Sequence, residues 1–208
     1  MKLHELRKDY RKYHLSEKEV YENPFEQFKI WLDEAIKAKI YEPNAMTLAT
    51  ADKEGKPSAR IVLLKEINEK GFIFYTNYNS RKGQEIDENP HVALLFYWDI
   101  LERQVRIEGK IEKISEHQSR EYFDSRPYEN RIAAIISPQS QIVESRKYLE
   151  DLFEQKKAEG NIEKPSFWGG YVVNAEYFEF WQGRSNRIHD RIAYYLTDDG
   201  WAIRRLAP

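Results

Sequence analysis

Hydrophobic residues divide the chain into a polar N-terminal stretch, a helix, and a series of strands with further helices between them. Residues 1–22 are charged and weakly periodic, which predicts a mobile arm or a short helix with Arg7 and Tyr10 on one face. Asn23-Pro24-Phe25-Glu26 is typical of a helix start. The helix is predicted to continue to about residue 39, on an apolar stripe of Phe25, Phe28, Leu32, Ala35 and Ile36.

After this helix the pattern changes to the two-residue alternation of β-strands. Residues 101–115 show it best, because Val105, Ile107 and Ile111 alternate with charged residues. Further strands are predicted at 45–50, 58–66, 71–76, 91–98, 168–181, 191–196 and 201–206. Helices are predicted at 79–88, at 116–125, from after Pro127 to about 136, and at 142–159. An antiparallel barrel with flanking helices is the simplest arrangement, because closure removes exposed strand edges. The predicted class is mainly β (α+β), with residues 23–208 as one domain and 1–22 as an arm.

Composition and motifs exclude several classes of protein. The net charge of −2 creates no field that attracts nucleic acid or an anionic membrane, and no apolar run has the length of a membrane span. The chain has no cysteine and no signal-peptide stretch, which predicts a cytoplasmic location. The histidines lack metal-ligand spacing, and no dinucleotide-binding, Walker or nucleophile-elbow motif occurs. We therefore expect no metal, nucleic acid or membrane partner.

One segment near the C-terminus has ionisable residues at every second position: Arg187, His189 and Arg191. In an extended strand these three side chains would lie on one face. Trp181 precedes them and would add an aromatic plate for a flat ligand. Such groups repel one another unless an anion binds or acids such as Asp190 neutralise them, so an anion site and a solvated surface both remain open.

Two other basic clusters are suited to an anionic ligand. Arg60 and Lys65 bracket four aliphatic residues and would face opposite sides of one strand, about 16 Å apart at about 3.3 Å per residue. An elongated ligand could engage both, although cations at strand ends also extend into solvent without a ligand. Arg81 and Lys82 begin a predicted helix, where unpaired backbone N–H groups and the helix dipole favour phosphate.

A third cluster places Tyr122 and Arg126 one helical turn apart, with Asn130 beyond Pro127. A phenol, a guanidinium and an amide can bind phosphate together, although helix pairs of this kind are common. The clusters together indicate two phosphate sites and surfaces for flat ligands. FMN and a second phosphorylated aromatic molecule would satisfy this demand.

Nine short segments occur in a fixed order along nearly the whole chain. They are RIVLLK at 60–65, FYTN at 74–77, SRK at 80–82, LERQV at 101–105, SRP at 125–127, PSFWGG at 165–170, FWQG at 180–183, RIHDR at 187–191 and RLAP at 205–208. Their ordered combination is specific and resembles the pyridoxine (pyridoxamine) 5′-phosphate oxidase family.

The resemblance implies an FMN-binding split antiparallel β-barrel that works as a homodimer with its active sites at the subunit interface. FMN would contact Arg60, Ile61, Val62, Leu63, Leu64, Lys65, Tyr75, Thr76, Arg81, Lys82 and Gln104. Gln139, Ser140, Trp181 and Arg191 would complete that site, part of it from the partner subunit. The substrate phosphate would be held by Lys65, Tyr122, Arg126 and Asn130, although the family commonly has the shorter serine at position 130. Arg187 and His189 would be the catalytic residues over the pyridine ring, and Arg7 and Tyr10 would close the site as a lid.

The implied reaction belongs to vitamin B6 metabolism. It oxidises pyridoxamine 5′-phosphate or pyridoxine 5′-phosphate at C4′ to pyridoxal 5′-phosphate, with O2 reduced to H2O2. Two alternatives remain open. Another split-barrel FMN oxidoreductase would keep the flavin contacts without needing Tyr122, Arg126, Arg187 and His189 together. A non-catalytic binder of pyridoxal 5′-phosphate would need no flavin site.

Overall fold

The computed structural model describes residues 9–208, which contain five α-helices and nine β-strands. The helices are α1 (Pro24–Lys37), α2 (Arg81–Glu88), α3 (Glu116–Ser125), α4 (Tyr128–Ile136) and α5 (Arg146–Glu159). The strands are β1 (Ala45–Ala51), β2 (Pro57–Leu63), β3 (Glu66–Ile67), β4 (Phe72–Asn77), β5 (His91–Trp98), β6 (Arg103–Lys113), β7 (Trp168–Gln182), β8 (Asp190–Thr197) and β9 (Gly200–Arg205). They are hydrogen-bonded in the order β2-β1-β5-β6-β7-β4-β3, and β8 pairs with β7 and β9.

These elements cluster into two compact units. The terminal unit contains the described part of residues 1–48 together with Ala93–Gly109 and Ala175–Pro208. The cavity unit contains Ala49–Val92 and Lys110–Asn174. Within residues 9–208, no helix combines the length and the apolar character that crossing a membrane requires.

Helix α1 begins where the sequence predicts it. The Oδ1 atom of Asn23 accepts a hydrogen bond from the backbone N–H of Phe25 at 2.9 Å and so caps the helix. The buried face is formed by Phe28, Trp31 and Ala35, whereas Ile36 is 55% exposed. The predicted stripe is therefore wrong at Ile36 and lacks Trp31, because Ile36 lies on the flank of the buried face.

The terminal unit has an aromatic core that fixes strand β7. Phe178 and Phe180 of β7 are fully buried. The ring of Trp31 lies 5.2 Å from that of Phe180, and the ring of Phe25 lies 5.1 Å from that of Phe178, both edge to face. Edge-to-face pairs contribute about 0.5–1.5 kcal/mol beyond the burial of their area. This packing holds the end of β7, where Trp181 is located.

In the cavity unit, two glycines of β7 make room for two tyrosine rings, one on the neighbouring strand β4 and one directly after it. Strand β4 pairs antiparallel with β7, with Tyr75 opposite Gly170. A Cβ atom on Gly170 would lie 2.8 Å from Cε1 of Tyr75, and one on Gly169 would lie 2.1 Å from the hydroxyl oxygen of Tyr78. Both glycines are therefore required for the rings to cross β7, and the Tyr75 ring is positioned in this way.

Several predicted elements differ from the structure. The strand predicted at 58–66 is divided into β2 and β3. Helix α5 begins at Arg146 rather than at residue 142, because the Ser145 hydroxyl accepts a hydrogen bond from the backbone N–H of Tyr148 at 3.1 Å and caps it there. Residues 9–22 contain no helix, so the helix predicted to carry Tyr10 is wrong, and Arg7 lies outside the described residues.

Candidate active site

The cavity unit contains a cavity of about 630 Å³. Four cations line it, namely Arg60, Lys65, Lys82 and Arg126, and no aspartate or glutamate of the described residues is in its wall. The other predicted site residues in the wall are Ile61, Val62, Leu63, Tyr75, Thr76, Tyr122, Asn130 and Gln139. A cavity with four positive charges and no carboxylate favours the binding of anions.

Arg60 and Lys65 line the same cavity, so the prediction that they face opposite sides is wrong. The cause is a break in the strand, because β2 ends at Leu63 and β3 begins at Glu66. Within the break, the backbone N–H of Lys65 donates to the carbonyl of Ile73 at 2.8 Å. Side chains alternate between faces only while the strand is continuous.

Arg60 is held against the buried carboxylate of Glu85 on α2, at 3.2 Å. Thr50 and Ser58 each donate a hydrogen bond of 2.5 Å to the same carboxylate oxygen, and both accept hydrogen bonds from Arg60. Burial opposes ionisation of Glu85, but hydrogen bonds from Ser58, Thr50 and the arginines outweigh it and lower its pKa to about 2. Glu85 therefore stays ionised and orients the Arg60 guanidinium. It was not predicted as a site residue, although it follows Arg81 by one helical turn.

Lys82 is 8% exposed and lies in the first turn of α2. Its Nζ atom donates to Oε1 of Gln139 at 2.8 Å and to Oγ1 of Thr76 at 3.2 Å, both neutral acceptors. Burial lowers the pKa of Lys82 to about 8, and the positive charge of Arg60 contributes. A buried ammonium beside a guanidinium favours an anionic ligand, because the anion offsets both desolvation and repulsion.

Three residues of the predicted FMN set belong to the cavity unit but are not in the cavity wall. Leu64 is buried in the hydrophobic core. Arg81 forms an ion pair of 2.8 Å with Glu85. Ser140 follows Gln139 and has a φ of 73°.

A second cationic group in the cavity surrounds Arg126. Its guanidinium carbon lies 4.8 Å from the centroid of the Trp168 ring. Its Nη1 atom is buried and has no hydrogen-bond partner among residues 9–208, and burial lowers the pKa of Arg126. An unpaired buried donor costs about 1–3 kcal/mol, and more when it is charged. A bound anion would remove this cost.

Aromatic rings stack in the wall beside Arg126. The ring of Tyr75 lies 3.8 Å from that of Tyr122 with an interplanar angle of 16°, and 5.6 Å from that of Trp168 at 14°. Burial raises the pKa of Tyr75 to about 12, so its hydroxyl stays neutral at physiological pH. Trp168 was predicted as part of a strand but not as a site residue, since only the fold brings it to Arg126.

The segment from Arg187 to Arg191 is not extended, so the single face predicted for Arg187, His189 and Arg191 is wrong. A 3₁₀ turn covers Ser185–Arg187, and strand β8 begins only at Asp190. Asn186 and Arg187 have φ values of 56° and 61°, in the left-handed region. For arginine this region costs roughly 1–2 kcal/mol, and strained backbone of this kind clusters at functional sites.

His189 lies beside the rings of Trp181 and Tyr10, at centroid distances of 4.7 and 5.9 Å. Its Nδ1 atom accepts a hydrogen bond from the backbone N–H of Arg184 at 3.1 Å. The neutral ring therefore has its proton on Nε2. Burial lowers the pKa of His189, and the positive charge of Arg187 contributes. At neutral pH the ring is thus a donor through Nε2.

Arg191 lies opposite Trp181 in the β7–β8 pair, so their side chains share one face. Glu179, two residues before Trp181, binds Arg191 through both carboxylate oxygens at 2.8 and 3.0 Å. It also accepts a hydrogen bond from Arg106 at 2.7 Å. Burial opposes ionisation of Glu179, but the two arginines outweigh it and lower its pKa. Glu179 was not predicted, although the two-residue period of β7 places it beside Trp181.

The predicted site residues are thus divided between the two units. The cavity unit contains the groups around Lys82 and Arg126. The members in the terminal unit are Tyr10, Gln104, Trp181, Arg187, His189 and Arg191.

The sequence matches two known regions of one family. Residues 32–157 match the family described as pyridoxamine 5′-phosphate oxidase, and residues 168–208 match the pyridoxine 5′-phosphate oxidase C-terminal dimerisation region. The pyridoxine/pyridoxamine 5′-phosphate oxidase of Trichormus variabilis is 55% identical over 98% of this chain and 97% of its own length. That of Neisseria meningitidis serogroup B is 47% identical over 100% of both chains.

Solved structures with a similar fold include proteins related to the family that the sequence matches. PhzG from Burkholderia lata, crystallised with tetrahydrophenazine-1-carboxylic acid, has a TM-score of 0.88 and 29% identity over 92% of this chain and 95% of its own. An FMN binding protein from Nostoc punctiforme shares the fold, with a TM-score of 0.72 and 17% identity over 89% of this chain and 98% of its own.

The fold and the sequence define an oxidoreductase with a split β-barrel and flanking helices, which confirms the predicted fold class. The chain belongs to the pyridoxamine 5′-phosphate oxidase family. The resemblance drawn from its ordered segments is therefore confirmed.

Proposed function

We propose that the protein oxidises pyridoxamine 5′-phosphate or pyridoxine 5′-phosphate at C4′ to pyridoxal 5′-phosphate. The amine reaction consumes O2 and water and releases ammonia and H2O2, whereas the alcohol reaction consumes O2 and releases H2O2. The observation that supports this best is the presence of two cationic groups in one cavity, Arg60 with Lys82 and Arg126 with Tyr122. Two phosphorylated molecules, FMN and substrate, require two such groups.

FMN is the cofactor in this proposal, and the residues around Lys82 fit its phosphate. Lys82 is held at the cavity wall by Gln139 and Thr76, and Glu85 orients Arg60 beside it. When bound, FMN supplies the redox chemistry, taking two electrons from C4′ and giving them to O2.

Lys65, Tyr122, Arg126 and Asn130 would hold the substrate phosphate. Fixing the phosphate at one end orients C4′ at the other, which makes the oxidation nearly intramolecular. Arg126 contributes a charged donor that is already desolvated, and Tyr122 contributes a phenol stacked on Tyr75. Asn130 lines the cavity and has donors that can reach a phosphate oxygen.

Arg187 and His189 would act over the pyridine ring. An imidazole ordinarily titrates near neutral pH, so proton exchange is the usual role for a catalytic histidine. Because its Nδ1 atom is occupied by the Arg184 N–H, we assign it instead as a hydrogen-bond donor to the substrate through Nε2. Arg187 would orient the ring and stabilise charge that develops during oxidation.

We further propose a homodimer in which each active site combines the cavity of one subunit with the terminal unit of the other. The match of residues 168–208 to a dimerisation region supports this, because these residues include Trp181, Arg187, His189 and Arg191. The cytoplasmic location stays a prediction from the sequence.

Anaerobic titration of the purified protein tests the proposal. We expect a yellow protein whose flavin absorbance bleaches when pyridoxamine 5′-phosphate is added. Unphosphorylated pyridoxamine is the matched control and should reduce the flavin much more weakly, because it lacks the anion that the Arg126 group binds. A protein with no affinity for FMN contradicts the proposal, and one that binds only pyridoxal 5′-phosphate would be a carrier. Equal reduction by both amines would instead indicate another split-barrel FMN oxidoreductase.

A further inference from the structure

The N-terminal arm is fastened to the terminal unit through Leu15 and Glu17. Arg205 of β9 forms a bidentate ion pair with Glu17, at 2.7 and 2.8 Å, and also donates to Asp190 at 2.8 Å. The backbone N–H of Leu15 donates to Asp190 at 3.1 Å, and its carbonyl accepts from Arg205 at 3.0 Å. Glu17, Asp190 and Arg205 therefore hold the backbone of Leu15 on both sides. We call these three residues the arm clasp.

Five residues before Leu15, Tyr10 lies against candidate active-site groups. Its ring centroid is 5.8 Å from that of Trp181 and 5.9 Å from that of His189. A Cβ atom on Gly183 would lie 2.7 Å from Cγ of Tyr10. The Tyr10 ring thus lies directly on the backbone of Gly183, so even a small displacement of the arm would alter its contact with His189.

Besides the clasp, the described part of the arm is attached by single contacts. Arg184 donates to the Tyr13 carbonyl at 3.0 Å, Tyr194 donates to the Tyr21 carbonyl at 2.8 Å, and the Arg103 guanidinium lies 4.9 Å from the centroid of the Tyr13 ring. Among residues 9–22, Leu15 is the one buried hydrophobic residue, and this stretch has no helix or strand. On the exposed surface, the backbone N–H groups of Arg11 and Lys12 donate to Glu102 at 3.0 and 3.2 Å, and Nζ of Lys12 donates to the Ile100 carbonyl at 2.5 Å. Isolated surface ion pairs contribute little, whereas a bidentate arginine–carboxylate pair linked to a second carboxylate is the geometry that does contribute. The clasp is therefore expected to be the strongest single attachment of the arm.

We propose that the arm clasp sets how much of the time Tyr10 lies over His189, and that Glu17 and Arg205 are positioning residues for substrate binding. The second part rests on the proposed function, in which the substrate binds beside His189. With the arm docked, Tyr10 covers that position and slows substrate dissociation. With the clasp broken, Tyr10 leaves and the substrate is held less tightly, while the groups that act on it are unchanged.

Limited proteolysis tests the clasp without any measurement of activity. We expect trypsin to cut after Arg11 and Lys12 faster when the arm leaves the surface, because a protease needs an extended segment that is free of the protein surface. The test variants are Glu17→Ala, Arg205→Ala and the double variant. The matched controls are Glu19→Ala, whose carboxylate contacts His14 at 3.3 Å, and Arg204→Ala, whose Nη1 donates to the Ile203 carbonyl at 2.8 Å. We expect the clasp variants to be cut about tenfold faster than the wild type and the controls, and the double variant to be cut no faster than either single variant.

Steady-state kinetics of the same FMN-loaded variants tests the positioning role. We expect the clasp variants to raise the KM for pyridoxamine 5′-phosphate about five- to tenfold and to change kcat at saturation less than about twofold. Unchanged proteolysis of Glu17→Ala would overturn the clasp, since Glu17 lies outside all helices and strands and its loss should not prevent folding. Faster proteolysis with an unchanged KM would overturn the positioning role. A wild-type protein that does not oxidise the substrate would refute the proposed function, whereas the proteolysis result would still decide the clasp.

Discussion

The guanidinium of Arg126 stacks over Trp168 at 4.8 Å while its Nη1 atom remains buried without a hydrogen-bond partner within residues 9–208. The stacking fixes the plane of the guanidinium, where Arg126 directly follows helix α3 and Trp168 begins strand β7. A charged donor held in this way has already lost its water, so it binds an anion without paying that cost again. In the proposed function, this arrangement would let Arg126 discriminate a phosphorylated substrate from its dephospho form.

Replacing Arg126 with methionine should therefore weaken substrate binding and spare the cofactor. Loss of a charge-assisted hydrogen bond of about 1.5–3 kcal/mol predicts a rise of about 10- to 100-fold in the KM for pyridoxamine 5′-phosphate. The FMN dissociation constant should change little. Arg120→Met is the matched control, because Arg120 lies on α3, six residues before Arg126, and pairs with Glu116 on the exposed surface. An Arg126→Met enzyme with wild-type KM would remove this residue from the phosphate site.

The affinity for FMN should depend on the protonation of Lys82. Its pKa is lowered from 10.5 to about 8, chiefly by burial, so the free protein loses this positive charge as the pH rises through 8. An anion favours the charged form, and binding above pH 8 must therefore take up a proton. We expect the FMN dissociation constant to be flat below about pH 7 and to increase by up to about tenfold per pH unit above pH 8.

Lys82→Arg is the informative comparison for this pH dependence. Arginine stays protonated throughout the range, so the increase above pH 8 should disappear even if the affinity itself changes. Calorimetry at pH 9 in buffers of different ionisation enthalpy should detect the proton uptake in the wild type and not in the variant. An identical pH profile in both proteins would show that another group titrates.

Local patterns in the sequence are sufficient to predict most of the helices and strands. Strand β5 and helix α3 have the predicted bounds, because alternation and capping are properties of short segments. The grouping of Arg60 with Lys82 does not follow from any local pattern, since it depends on the pairing of α2 with β1 and β2 through Glu85. Such long-range contacts leave no period in the sequence.

The segment Arg187–Arg191 departs most from what its sequence pattern predicts. A two-residue spacing of cations suggested a strand, but left-handed backbone at Asn186 and Arg187 breaks it before β8. Arginine rarely adopts this conformation, so propensity alone could not predict it. Trp168 and Glu179 were missed for a related reason. Their roles depend on which side chains the neighbouring elements bring to them, and the sequence shows only that they lie in a strand.

Gly183 should be essential for the docking of Tyr10. The Cβ atom of Gly183→Ala would lie 2.7 Å from Cγ of the Tyr10 ring, closer than carbon atoms approach one another, so the ring must move. We expect the KM for pyridoxamine 5′-phosphate to increase about three- to tenfold, with a smaller effect on kcat. Combination with Tyr10→Ala gives the control, because the added methyl group has nothing to displace once the ring is absent. Additive effects of the two changes would mean that Gly183 acts by another route.

His189 should be a neutral Nε2–H tautomer with a pKa below 6.5. Burial is the main cause of the lowered pKa, the charge of Arg187 adds to it, and Asp190 opposes it. Since the folded pKa lies below the unfolded value of 6.5, the protein should lose stability through this group only as the pH falls below about 6.5. Protonation also places a hydrogen on Nδ1, where it faces the Arg184 N–H and breaks the 3.1 Å hydrogen bond. The decrease in kcat/KM that protonation of His189 causes at acidic pH should therefore occur below pH 6.5.

Nitrogen-15 NMR of the histidine rings measures both the tautomer and the pKa without relying on turnover. Arg187→Met should raise the pKa of His189, because a positive charge beside the ring is removed, whereas Arg187→Lys retains the charge and should leave the pKa near the wild-type value. In Arg187→Met, the decrease in kcat/KM at acidic pH should move to higher pH by the same amount as the pKa of His189 measured by NMR. An Nδ1–H tautomer in the wild type would rule out the Arg184 hydrogen bond, and with it the assignment of His189 as a donor through Nε2.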